Sequence, residues 1–201
     1  MREHLAERAD GWFAKAQAAS LNSLPCRAGC SQCCVGPFAI TLLDVERIRQ
    51  GLKAMPKGQG DGLRRRALAQ TGSMERAFPR LSTTPFLDTW PDTEIDDLVT
   101  AFQHLPCPAL EPDGTCAVYP WRPLTCRLMG IPTDEAGLVQ GACKVQTAVP
   151  ILRLPEQLRQ QEHVLAEEEA RAILKYQQDR GTSGEEVLLP YGFMLDISPC
   201  R

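Results

Sequence analysis

The chain has 201 residues, 43% of them hydrophobic and 23% charged, with a formal net charge of −3. That composition is that of a soluble globular protein, so disorder is not the default, and the charge gives no reason to expect nucleic acid or an anionic membrane surface as partner. No run of about 18 consecutive apolar residues occurs, so no membrane-spanning helix is expected. The N-terminal stretch MREHLAERADGWFAKAQ is charged throughout and lacks the apolar centre of a signal peptide. A cytoplasmic location is therefore expected, and the length suits a single domain over residues 1–201.

Residues 3–20 read as a helix, with Leu5, Ala9, Trp12, Phe13 and Ala16 on one side at helical spacing. Pro25 and Gly29 break that pattern and open the stretch Cys26-Arg-Ala-Gly-Cys30-Ser-Gln-Cys33-Cys34, which holds four thiols in nine residues. The apolar run 36–40 reads as a brief strand or extended segment. Thr41 followed by Asp44 has the form of a capping box with a shorter acid and predicts a helix over 42–53. PKGQGDG, residues 56–62, reads as a linker, since it lacks the lysine and Ser/Thr of a phosphate loop. A helix over 63–78 follows, whose run Arg64-Arg65-Arg66 reads as a solvated face because nothing aromatic interleaves it.

Residues 79–91 are rich in turn formers. Thr93 resembles an N-cap, with Glu94, Asp96 and Asp97 in the first turn of a helix reaching His104. Its inward residues are Ile95, Leu98, Val99 and Phe102, and Pro106-Cys107-Pro108 ends it. Residues 109–129 read as irregular and metal-tied. Asp113-Gly114 is a turn signal that makes Cys107 and Cys116 flank a hairpin-like excursion. Pro120 and Pro123 stiffen the approach to Cys126. Pro155 opens the longest helix, to about residue 178, and Gly181 follows its end. Leu158, Leu165, Ala172, Ile173 and Tyr176 line its core side, and the apolar tail 187–197 docks back onto the body. The fold class expected is mainly α with short β and irregular segments: a Cys-rich core over 26–143, an N-terminal helix within 1–25, and a C-terminal helix and docked tail within 150–201.

Nine cysteines in a chain of this kind point to metal or redox chemistry rather than a disulfide framework, because a reducing compartment keeps thiols open. The odd number also argues against complete internal pairing. Cys30-x2-Cys33 has the spacing of one zinc knuckle, extended on both sides by Cys26 and Cys34. Neighbouring side chains of an extended segment point to opposite faces, so Cys33 and Cys34 suit two centres, or one cluster with several metals, better than one small ion. Cys107, Cys116, Cys126 and Cys143 form the second group of four. Two mononuclear sites, a four-thiolate cluster with zinc, and a binuclear centre all remain open. The spacing matches neither the bacterial ferredoxin run nor the plant-type pattern, which leaves zinc against iron undecided. Arg122 and Arg127 flank Cys126 and are candidate donors that offset thiolate charge. Tyr119 is weighed as a further donor against a core tyrosine, and His104 as a ligand against a helix-surface histidine. Cys200 has no neighbouring thiol and reads as free.

Cys26-x3-Cys30-x2-Cys33-Cys34, followed by CPALEPDGTC, VYPWRPLTCR and Cys143, resembles the YkgJ-type cysteine-cluster family, the zinc- or iron-chelating CxxCxxCC domain. The resemblance spans residues 26–143 and departs from the family's nickname in its first spacing, three residues where the name has two. It implies metal binding through the eight cysteines and no settled reaction. A related cysteine motif is associated with flagellin lysine methylases, where an iron–sulfur cluster accompanies methyl transfer, but no cofactor-binding motif for that chemistry is present here. HExxH, GxSxG, a phosphate loop and a dinucleotide fingerprint are absent as well. Three readings follow: a chelating, electron-transfer or sensing metalloprotein; an enzyme that modifies a substrate at an iron or iron–sulfur centre; and an interaction module held together by zinc. The metal ion is the one partner the residues name.

Overall fold

Seven helices carry the described residues of the computed structural model, which are 2–20, 29–56, 58–131, 133–135, 138–140, 153–182 and 184–195. They are α1 (Arg2–Ala19), α2 (Leu42–Ala54), α3 (Gln59–Ala77), α4 (Arg80–Thr83), α5 (Asp92–Ala101), α6 (Leu124–Leu128) and α7 (Glu156–Arg180). Four three-residue strands accompany them: β1 (Ala39–Thr41), β2 (Thr133–Glu135), β3 (Leu138–Gln140) and β4 (Glu186–Leu188). The protein is mainly α with short β segments, as its helical periodicities predict. It divides into two compact units, Met1–Cys33 with Leu124–Ala172, and Cys34–Pro123 with Ile173–Arg201.

In the first unit the apolar side of α1 is buried as the spacing requires. Ala9 and Ala16 are fully buried and Trp12 nearly so, while Leu5 and Phe13 are partly covered. Trp12 and Ala16 pack with Ile131, Leu154, Leu158 and Leu165. The indole N–H of Trp12, which could not be buried without a partner, donates to the carbonyl of Leu158 at 2.8 Å. Arg8 and Glu168 form an ion pair that also ties α1 to α7, and it holds the Glu168 carboxyl below the usual range. Here β2 pairs antiparallel with β3.

In the second unit β1 pairs antiparallel with β4, in the register Ala39–Leu188, Ile40–Val187 and Thr41–Glu186. Thr41 ends β1 and caps α2: its extended backbone turns the chain, and its hydroxyl accepts from the amide of Asp44 at 3.4 Å. The docked tail is a core element: Val187 and Leu188 are buried in the pairing with β1, and Leu189, Tyr191 and Phe193 are buried in the segment that packs on α2 and α3. Its residues 196–201, including Cys200, lie outside the described residues.

The bounds of two helices, α3 and α5, differ from the sequence reading. α3 begins at Gln59 rather than 63, because Gly58 turns the chain into the helix and Gly60, already helical, packs closely on α2. Gly58 takes a φ of 93° ahead of the helix, and a Cβ on Gly60 would stand 3.3 Å from the Leu52 carbonyl oxygen. α5 begins at Asp92 behind Pro91, with no side-chain cap. Thr93 therefore lies inside the first turn instead of before it, and the pre-set φ of Pro91 at −61° starts the helix. α5 also ends early, at Ala101: Leu105, pushed out of helical geometry by the proline that follows it, closes a turn onto Phe102. Within 79–91 the turn residues form α4 and a 3-10 turn at Leu87–Thr89.

Candidate metal centre

Cys34, Cys107 and Cys116 belong to the second unit. The segments around Cys34 and Cys107 are pinned side by side. Gly36 N–H donates to Leu105 at 2.7 Å, Cys107 N–H donates to the Cys34 carbonyl at 2.7 Å, and Val35 and Pro106 bridge antiparallel. Prolines have no amide hydrogen, so Cys107 carries the one N–H of Pro106-Cys107-Pro108, and it is spent on Cys34. The next amide, that of Ala109, points at the Cys107 sulfur, with N and Sγ 3.4 Å apart. An N–H aimed at sulfur stabilises the thiolate over the thiol, which is the form that binds metal.

Beyond Cys107 the chain makes the expected hairpin-like excursion. Gly114 N–H closes a turn onto the Glu111 carbonyl at 2.9 Å, with Pro112 second and Gly114, at a φ of 82°, fourth. Asp113 accepts from the amide and hydroxyl of Thr115 at 3.0 and 2.6 Å, and these bonds hold its carboxyl below the usual range. Leu110 and Cys116 then bridge antiparallel, and Ala117 N–H reaches the Ala109 carbonyl at 2.9 Å. Cys107 and Cys116 thus flank the turn that Asp113-Gly114 marks.

Cys30, Cys33 and Cys126 belong to the first unit. Cys30 follows Gly29, whose φ is 83°. Cys33 and Cys34 lie in a 3-10 turn, Gln32–Cys34, and not in extended chain. Alternation across a strand therefore does not apply to them; three residues per turn makes neighbouring side chains diverge by about a third of a revolution instead. Cys126 sits in the middle of α6, a helix that starts directly after the stiff Pro123. Its neighbour Arg127 is only 5% exposed and pairs with Asp10 of α1. Sequence reasoning missed Asp10, since nothing local announces a partner 117 positions away.

Arg122 stacks on the ring of Tyr119, 4.2 Å from guanidinium to ring centre. Tyr119 is 57% exposed, so it is not a core tyrosine. His104 is exposed beyond the end of α5. Arg64, Arg65 and Arg66 are exposed, as expected for their run, and Arg66 in addition donates to the Pro108 carbonyl at 2.7 Å and to Glu111 at 2.9 Å. Cys26 and Cys143 lie outside the described residues.

The six described cysteines are thiols, each half-buried. Among the described residues, no three His, Cys, Asp or Glu side chains are gathered around one point as a metal set. The donor chemistry nonetheless suits zinc or iron, both of which take thiolate sulfur, and the Ala109 amide favours the thiolate form at Cys107.

The model of a protein family described as "Putative zinc- or iron-chelating domain", CxxCxxCC, matches residues 25–144. The chain belongs to the CxxCxxCC family. No curated protein and no solved structure matches it. The CxxCxxCC match covers every cysteine of the chain except Cys200, and the family's description, zinc- or iron-chelating, names a metal ion as partner. No helix among the described residues is long and apolar enough to cross a membrane.

Proposed function

We propose that this chain chelates zinc or iron through the thiolates of Cys26, Cys30, Cys33, Cys34, Cys107, Cys116, Cys126 and Cys143. The observation that carries the reading is the family match over residues 25–144, and the amide directed at the Cys107 sulfur supports it. Bound zinc would supply structural cross-linking of loops that have little regular structure of their own; iron, alone or as an iron–sulfur cluster, would supply redox chemistry. Arg122 and Arg127 are assigned a charge-offsetting role around the bound thiolates, and Tyr119 that of a further hydrogen-bond donor. Open thiols in such number belong in a reducing compartment, which supports a cytoplasmic location.

The deciding experiment is metal and acid-labile sulfide content with a visible spectrum, on protein purified without oxygen. Iron with sulfide and broad visible absorption establishes a cluster. Zinc without sulfide makes the site a mononuclear or binuclear thiolate centre. Protein that holds neither metal after purification, and takes up neither on addition, overturns the proposal.

A further inference from the structure

Two residues one helical turn apart on α3 hold the carbonyls on either side of Cys107. Gln70 donates through Nε2 to the Pro106 carbonyl at 2.8 Å, and Arg66 donates through Nε to the Pro108 carbonyl at 2.7 Å. A spacing of four places both side chains on one face of the helix, and their targets are spaced two apart, so Cys107 lies between the two grips. Gln70 and Cys107 line the same small cleft with Pro106 and Pro108. Arg66 also reaches Glu111 at 2.9 Å, so a single guanidinium spans the start of the turn that leads to Cys116.

The chemistry explains why side chains are needed here. Pro106 and Pro108 donate nothing, and the Cys107 amide is taken by Cys34. The Cys107 carbonyl accepts from the Leu110 amide within the loop at 2.9 Å, and α3 takes the two proline carbonyls. Fixing them limits rotation of the intervening Cys107 backbone and so limits where its sulfur can point.

We infer that Arg66 and Gln70 are positioning residues that preset Cys107 for metal binding. The inference rests on the chelation reading above and adds a group of residues outside the cysteine motif. Outer groups that orient metal ligands typically change affinity by about 10- to 100-fold when removed, and that is the effect expected of the double variant Arg66→Ala with Gln70→Leu.

The test is zinc binding to the full chain in competition with a chromophoric chelator, together with the alkylation rates of Cys107 and Cys30 read by mass spectrometry. The controls are Arg65→Ala, which removes the same charge from an exposed neighbour on α3, and Arg66→Lys, which keeps the charge and one donor. The inference requires zinc affinity to fall about 10-fold or more in the double variant, unchanged affinity in Arg65→Ala, partial recovery in Arg66→Lys, and a change in alkylation at Cys107 larger than at Cys30. Wild-type affinity in the double variant overturns the inference and leaves the chelation reading standing. An equal loss in Arg65→Ala overturns it too, since bulk charge would then account for the effect. A wild-type chain that binds neither zinc nor iron overturns both.

Discussion

At the scale of single residues, glycine shows how neighbours reverse the effect of one substitution. Gly51 lies inside α2, where Ala is intrinsically better by about 1 kcal/mol. A Cβ there would stand 2.9 Å from Cβ and Cγ of Trp121, atoms close to the backbone that cannot swing away. Gly51→Ala is expected to lower stability by about 1–3 kcal/mol. Gly11, in α1, has nothing within 4 Å of the added carbon, and Gly11→Ala should raise stability by up to about 1 kcal/mol. Urea unfolding of the two variants beside the parent tests the pair; a stabilised Gly51→Ala would mean that Trp121 does not pack as described. Tyr191 supplies a pH prediction. Burial, and then its hydrogen bond to Glu75 at 3.0 Å, push its phenol well above the usual range. The fold therefore keeps a proton that the unfolded chain loses near pH 10. This contribution is complete below about pH 10 and is lost as pH rises toward the folded value. Tyr191→Phe should be less stable at neutral pH, by about 1–2 kcal/mol, and should show a shallower decline above pH 10 than the parent. Parallel declines of the two proteins would contradict the assignment.

At the scale of elements, the segment from Cys107 to Cys116 is held by a few directional contacts rather than by burial. Its turn depends on Gly114 at a φ of 82°, a conformation costing an L-residue about 1–2 kcal/mol. Gly114→Ala should therefore weaken the Leu110–Cys116 bridge and speed alkylation of Cys116, with little change in helix content. Unaltered alkylation at Cys116 would show that the turn does not govern that thiol. The strand pair β1–β4 behaves differently, because Ile40, Val187 and Leu188 are fully buried and need no ligand to stay in place.

On the scale of the molecule, that contrast predicts how metal removal acts. A structural zinc contributes about 10–16 kcal/mol on binding, while a whole domain is stable by about 5–15 kcal/mol. Chelation, or Cys30→Ser, should loosen the thiol-bearing segments and leave much of α1, α2, α3 and α7 formed, since those helices bury apolar faces of their own. Near-UV dichroism, to which Trp121 contributes from between Cys116 and Cys126, should fall by a larger fraction than the far-UV helical signal. Near-UV dichroism that survives verified metal removal would show that the metal does not hold these segments.

The sequence by itself determined the amphipathic helices, the turn at Asp113-Gly114, the family and the inventory of thiols, because periodicity, turn chemistry and cysteine spacing are local properties of the chain. The core side of α1 is readable from Leu5 to Ala16, and Thr41 announces α2. What only the tertiary structure decided is which distant groups meet. The glycines of PKGQGDG look like a linker until the Leu52 carbonyl is seen against Gly60. The arginine run is exposed as it reads, but nothing in it announces that Arg66 meets the Pro108 carbonyl, and nothing at Asp10 announces the buried Arg127 beside it. Each of these rests on a hydrogen bond, an ion pair or a close approach between residues in different segments of the chain, and such pairings leave no periodic trace in sequence because either partner alone is compatible with solvent.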